Sequence, residues 1–204
     1  MIKKPNNWNN VQEFTDRPKL PLGAYVCKVR KAVLQPTDYG DQLCILFDIV
    51  EGEFKGFFQK EFDGNTNDNK KWKGVLRQWL PKDDGSEKDE WTKSSFKGMV
   101  TAFEKSNLGY QFDWNEASLA GKVIGILFRN EEWEYEEKTG WAVRPFRAIS
   151  ADSVRSGDFR LPKDKPLKKS NAIPAFGTSY DSAPSTGSYG NFAELEDDDD
   201  ELPF

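Results

Sequence analysis

The 204-residue chain contains no histidine and only two cysteines, Cys27 and Cys44. That scarcity excludes a Cys/His zinc site, a Ser-His-Asp triad and a Cys-His nucleophile pair. It also excludes a disulfide framework, so both thiols are expected to be reduced and buried. No run approaches the roughly 20 apolar residues a membrane helix needs, and the Lys- and Asn-rich N-terminus lacks the apolar stretch of a secretory signal. A soluble, cytoplasmic protein without a membrane partner is the expectation. Positive charge is also in deficit. With 29 Lys and Arg against 34 Asp and Glu the net charge is -5, which taken alone disfavours a polyanionic partner.

What the chain does have is aromatic and apolar content, 14% and 37%, sufficient for one real core. Residues 23–34 alternate apolar and charged positions through Tyr25, Cys27 and Val29 against Lys28 and Arg30, the period of a half-buried strand. A turn at 35–41 leads to a second strand at 43–50, and a Glu-Gly-Glu connection to a third at 54–62. Residues 67–80 then place Trp72, Val75, Leu76 and Trp79 three and four apart before Pro81, which predicts an amphipathic helix. Residues 82–90 read as a charged loop, and 94–106 repeat the helical spacing with Phe96, Met99, Val100 and Phe103. Strands at 121–128 and 141–149 follow, joined by an aromatic and acidic hairpin. Three strands, a helical insertion and two strands is the order of the OB-fold, a mainly β, five-stranded barrel that binds oligonucleotides.

The C-terminal part differs in composition. Residues 170–192 are Ser, Gly, Thr, Pro and Ala with scattered aromatics and no Lys or Arg, which predicts a flexible linker. The last eleven residues hold seven acids and end in Leu202, Pro203 and Phe204, behind Asp197, Asp198, Asp199 and Asp200. A terminal aromatic beside carboxylates suits an apolar pocket flanked by basic residues on a partner. The expected organisation is an N-terminal arm (1–19), a binding domain (20–158), a basic then Ser/Gly/Pro-rich linker (159–193) and an acidic tip (194–204).

This arrangement resembles single-stranded-DNA-binding proteins of the bacterial and phage replication type. The tip carries the resemblance most specifically. Short segments of the body, Leu20-Pro-Leu-Gly-Ala-Tyr25, Trp72-Lys-Gly-Val-Leu-Arg77 and Ser156-Gly-Asp-Phe159 among them, are similar to phage and prophage proteins found with recombination and replication genes. The resemblance implies an OB-fold body that binds DNA, in a bacterial or phage-infected cytoplasm. It also implies a tip that recruits replication or recombination proteins. The long helical insertion departs from the housekeeping protein, so a homo-oligomer of unspecified size is the corresponding expectation.

Sequence-independent binding needs cations that follow phosphates and exposed rings on which bases stack. The phosphate candidates are Lys28, Arg30, Lys60, Lys70, Lys71, Arg77, Arg144 and Arg147. The stacking candidates are Tyr39, Phe57 or Phe58 on the third strand, and Trp133, Tyr135 and Trp141 on the acidic hairpin. Phe47, Trp79, Phe96, Phe103 and Phe128 are expected in the core. Lys163, Lys165, Lys168 and Lys169 either extend the DNA path or seat the tip. No cofactor is implied, and the loop acids Asp83, Asp84 and Glu87 lack a nucleophile or phosphate-binding motif that would make an enzyme of them. The competing expectation is a protein-binding adaptor whose acidic tail mimics nucleic acid. Without the tip, residues 1–193 carry +2, so the acidity belongs to an appendage.

Overall fold

The computed structural model of the chain describes residues 2–10, 18–136 and 138–167. Within them β1 (Ala24–Thr37) and β2 (Gly40–Ile49) form a hairpin over a two-residue turn, in which Gly40 adopts φ 137°. The alternation in β1 changes phase because its register against β2 slips between Val29 and Lys31. Cys27, Val29 and Ala32 are buried as a result, and Arg30 stands at the bulge.

The third segment is not a strand. Residues 57–63 form a short helix, α1 (Phe57–Asp63), because Gly52 and Gly56, at φ 82° and 72°, turn the chain out of the extended conformation. The Asp48 carboxylate accepts the Phe58 amide at 3.1 Å, supplying the cap that Gly56 cannot. Phe58 then packs on Phe47 at 5.3 Å. A short apolar run fits either period, and the two glycines decide for the helix.

The expected helix over 67–80 is instead an extended run ending in β3 (Val75–Trp79), paired antiparallel to β2. Gly74 allows it. A Cβ there would lie 2.5 Å from the Phe47 carbonyl oxygen and 2.8 Å from the Phe58 ring. The Trp72 indole N–H donates to the Phe47 and Gly74 carbonyls, both at 3.1 Å. That bond fixes the approach to the sheet, and tertiary contact overrides the helical spacing.

The longest helix among the described residues, α2 (Glu87–Ser106), starts seven residues before the apolar spacing suggested. Ser86 Oγ accepts the Asp89 amide at 3.2 Å, and three acids occupy the first turn, a favourable charge at a helix N-terminus. Phe96, Met99 and Phe103 turn inward. β4 (Val123–Tyr135) and β5 (Lys138–Ile149) are longer than expected and pair from Gly125↔Ile149 to Tyr135↔Lys138. Their distal half projects past the start of β1 as a two-stranded arm. A last helix, α3 (Ala151–Ser156), lies over β4 at Gly125, where a Cβ would sit 2.6 Å from Val154.

The sheet order is β3-β2-β1-β4-β5, antiparallel throughout. The outer strands β3 and β5 come within 8 Å between Cα atoms without pairing, so the sheet is not closed, and α2 packs against both. Phe47, Phe103, Phe128, Ile45, Ile124 and Ile126 are fully buried between sheet and helix. Cys27 and Cys44 are both buried, and burial pushes the Cys27 thiol up. Among the described residues no helix is long and apolar enough to cross a membrane.

Candidate nucleic-acid interface

The gap between β3 and β5 is a groove of about 520 Å³ floored by α2. β3 contributes Arg77 and Trp79, α2 contributes Trp91 and Lys105, and β5 contributes Phe146 and Arg147. The floor between them is small and polar, with Ser94, Ser95, Gly98 and Thr101. No carboxylate lines it among the described residues. Trp91 is 49% exposed, an indole standing free on the polar side of the helix.

Beyond the groove the arm continues the same chemistry on one of its faces. Partners across a ladder share a face and successive residues alternate. The register therefore puts Arg129, Glu131, Trp133 and Tyr135 of β4 together with Lys138, Gly140, Ala142 and Arg144 of β5. The Glu131 carboxylate is occupied by Arg129 at 2.8 Å and Arg144 at 3.9 Å. Trp133 lies across Gly140, where a Cβ would be 2.8 Å from the ring. Glu132 and Glu134 fall on the opposite face with Trp141. The pleat sorts the acidic hairpin into a basic aromatic face and an acidic one.

Arg129 joins arm and groove. It is 8% exposed, with its guanidinium 4.2 Å from the centre of the Phe146 ring, while Arg147 approaches the same ring at 6.0 Å. Its Nε has no hydrogen-bond partner among the described residues. Phe146 is thus a support for cations rather than a stacking platform. The exposed rings on this path are Trp91, Trp133 and Tyr135.

Of the candidates from the sequence, Arg77, Trp133, Tyr135, Arg144 and Arg147 meet on this path. The others do not. Trp141 faces the other way. Tyr39, 67% exposed, tips the β1–β2 hairpin at the far end of β1. Phe58 is buried and Phe57 half-buried against Phe54 and Phe58, so neither strand-facing alternative holds once this segment is helical. Arg30 lies over Trp72 at 4.4 Å and donates to Gln59, and Lys70 sits 4.6 Å from the Phe62 ring. Lys28, Lys60 and Lys71 are exposed and do not line the groove.

Lys163 and Lys165 belong to a strap along the outer edge of β4. The Lys165 amide donates to Asn130 and its carbonyl accepts from Glu132, at 2.8 and 2.9 Å. Lys168, Lys169 and the tip residues Asp197 to Asp200, Leu202, Pro203 and Phe204 lie outside the described residues.

Trp91, Lys105, Lys138 and Phe146 escaped the sequence reading, and Trp79, assigned to the core, is a half-buried groove wall. One signal was available. Trp91, Ser94, Ser95, Gly98, Thr101 and Lys105 recur at helical spacing opposite Phe96, Met99 and Phe103, so Trp91 is a large ring on a polar stripe. No protein-family model matches the chain, and no curated protein matches it in sequence.

Proposed function

We propose that the protein binds unpaired nucleic acid, single-stranded DNA above all, without regard to sequence. The observation that carries this is the run of cations and exposed rings from the groove to the arm, in which the Glu131 carboxylate is already paired. Arg77, Lys105, Lys138, Arg144 and Arg147 follow the phosphates, and bases stack on Trp91, Trp133 and Tyr135 at roughly 1–3 kcal/mol each. Stacking requires bases that are not already stacked in a duplex. The strand order supports an OB-like body whose β3–β5 seam is opened by α2 into the binding groove.

On this reading residues 194–204 form the tip that recruits replication or recombination proteins while the body holds the strand. The test is fluorescence polarisation of labelled oligo-dT and of a duplex of equal length, with the full chain and with residues 194–204 removed. Oligo-dT should bind far more tightly than duplex, and the deletion should leave that affinity equal or higher. Equal affinity for duplex, or loss of oligo-dT binding on the deletion, refutes the assignment.

A further inference from the structure

A second cleft, of about 390 Å³, opens at the opposite end of the body from the arm. Its apolar walls are Leu34, Leu80, Pro81, Phe96, Phe112 and Trp114. Leu34 is 49% exposed and Trp114 81% exposed. Trp114 is held over the cleft at φ 62°, a conformation that bulky residues rarely take, by stacking on Phe96 at 6.3 Å and contact with Phe112 at 5.8 Å. An exposed apolar surface rimmed by charge marks an interaction site. The rim is acidic, with Asp83 and Glu116, and Lys93, its one cation among the described residues, is already held by Asp83, Asp89 and Glu90 at 2.7, 2.9 and 3.5 Å.

The occupant such a cleft selects is apolar and basic. Residues 2–10 have that composition. They carry Lys3 and Lys4 and no acid, and they expose Ile2 at 98% and Trp8 at 58%. We propose that this segment of one copy docks in the Leu34–Trp114 cleft of a second copy, with Trp8 and Ile2 as anchors and Lys3 and Lys4 against Asp83 and Glu116.

Reach favours a second copy over the same chain. Trp8 lies twelve positions before Leu20, which is anchored in the core beside the start of β1. Fully extended, those twelve positions span about 40 Å. From Ala24 to Leu34 β1 alone runs about 33 Å in a straight line, so seating within one chain demands nearly complete extension along the whole body. A neighbour meets no such demand. The two surfaces differ, so the contact either closes by reciprocal exchange between two copies or repeats head to tail.

Sedimentation velocity of the full chain without nucleic acid, over a concentration series, tests this. The weight-average mass should rise with concentration for the wild type and stay monomeric for the double variant Ile2→Ser/Trp8→Ala, whose changes lie outside the core. Lys3→Glu/Lys4→Glu should weaken association, and adding Asp83→Lys/Glu116→Lys should restore it. A labelled peptide of residues 2–10 should bind the Ile2→Ser/Trp8→Ala protein and not its Leu34→Asp derivative. Association that survives Ile2→Ser/Trp8→Ala overturns the proposal. So does a wild type that stays monomeric at every concentration, including the case in which the peptide still binds and the segment is therefore seated in its own chain. Oligo-dT affinity is read separately, so a failure here leaves the proposed nucleic-acid function standing.

Discussion

Arg147→Ala isolates the groove from every other basic surface, because Arg147 has no ion pair among the described residues and lines the carboxylate-free wall. Five cations lie along the proposed path: Arg77, Lys105, Lys138, Arg144 and Arg147. If each neutralises one phosphate, log K against log salt has a slope of about -3.5, at about -0.7 per phosphate for single strands. A fourfold rise in salt then weakens oligo-dT binding about 130-fold. With Arg147→Ala the slope becomes about -2.8 and the same rise costs about 50-fold. Polarisation titrations at several KCl concentrations measure both. Lys60→Ala/Lys70→Ala is the control. Lys70 is committed to the Phe62 ring and both lie off the path, so the slope should stay near the wild-type value. A slope that Arg147→Ala leaves unchanged, while the Lys60/Lys70 double variant flattens it, refutes the groove as the strand's route.

Three further outcomes follow from the geometry. Trp91→Ala and Trp133→Ala should each weaken oligo-dT binding about tenfold, the lower part of the range for one lost stack, while Trp141→Ala on the acidic face should leave the same titration unchanged. Gly125→Ala places a methyl 2.6 Å from Val154 and 2.7 Å from the Ser150 carbonyl, which should cost about 1–3 kcal/mol in urea unfolding with little change in the slope of that transition. Asp89 is buried, with Lys93 at 2.9 Å and the Lys82 and Asp83 amides donating to it. The Lys93 hydrogen bond, followed by those amides, holds its carboxyl below the ordinary 3.8. The unfolded chain therefore binds the proton more readily, and the stability Asp89 contributes is full above pH 3.8 and lost as pH falls through the lower folded value. Thermal melts between neutral pH and about pH 3 should show a shallower acid decline for Asp89→Asn. An equally steep decline would assign that limb to other carboxylates, such as Glu51 beside Arg155.

The parts of the fold legible in the sequence were those whose period is unambiguous over many residues: β1, β2, β4, β5 and the apolar face of α2. The two errors have one cause. Residues 54–80 carry apolar residues compatible with either period, and the outcome was decided by single glycines: Gly56, whose φ of 72° turns the chain so that the Phe58 amide reaches Asp48, and Gly74, packed against Phe47. Nothing local reveals that Phe47 will be the neighbour. The candidate site was half legible for a similar reason. Composition identified cations and rings, but which of them share a surface depends on register. Arg30 and Lys70 were attractive as charges, yet the fold spends them on Trp72 and Phe62.

The place of the interface follows from what α2 does to the sheet. An open sheet exposes two edges, and exposed edges invite pairing with other chains. Here both edges turn toward α2, and the helix keeps them from meeting while leaving their side chains as walls. Its outward stripe is recessed because Ser94, Ser95, Gly98 and Thr101 are small, and it is bounded by Trp91 and Lys105, fourteen residues or about 21 Å apart along the axis. A larger side chain at Gly98 would fill the floor, and an acid there would face Arg77 and Arg147 across a narrow gap. The second half of the path needs no helix, because the strand pleat alone separates Trp133, Tyr135, Lys138 and Arg144 from Glu132 and Glu134. A hairpin that is acidic as a sequence is therefore cationic on the face that continues the groove. A one-residue slip in the β4–β5 register would exchange those faces and end the path at Arg147.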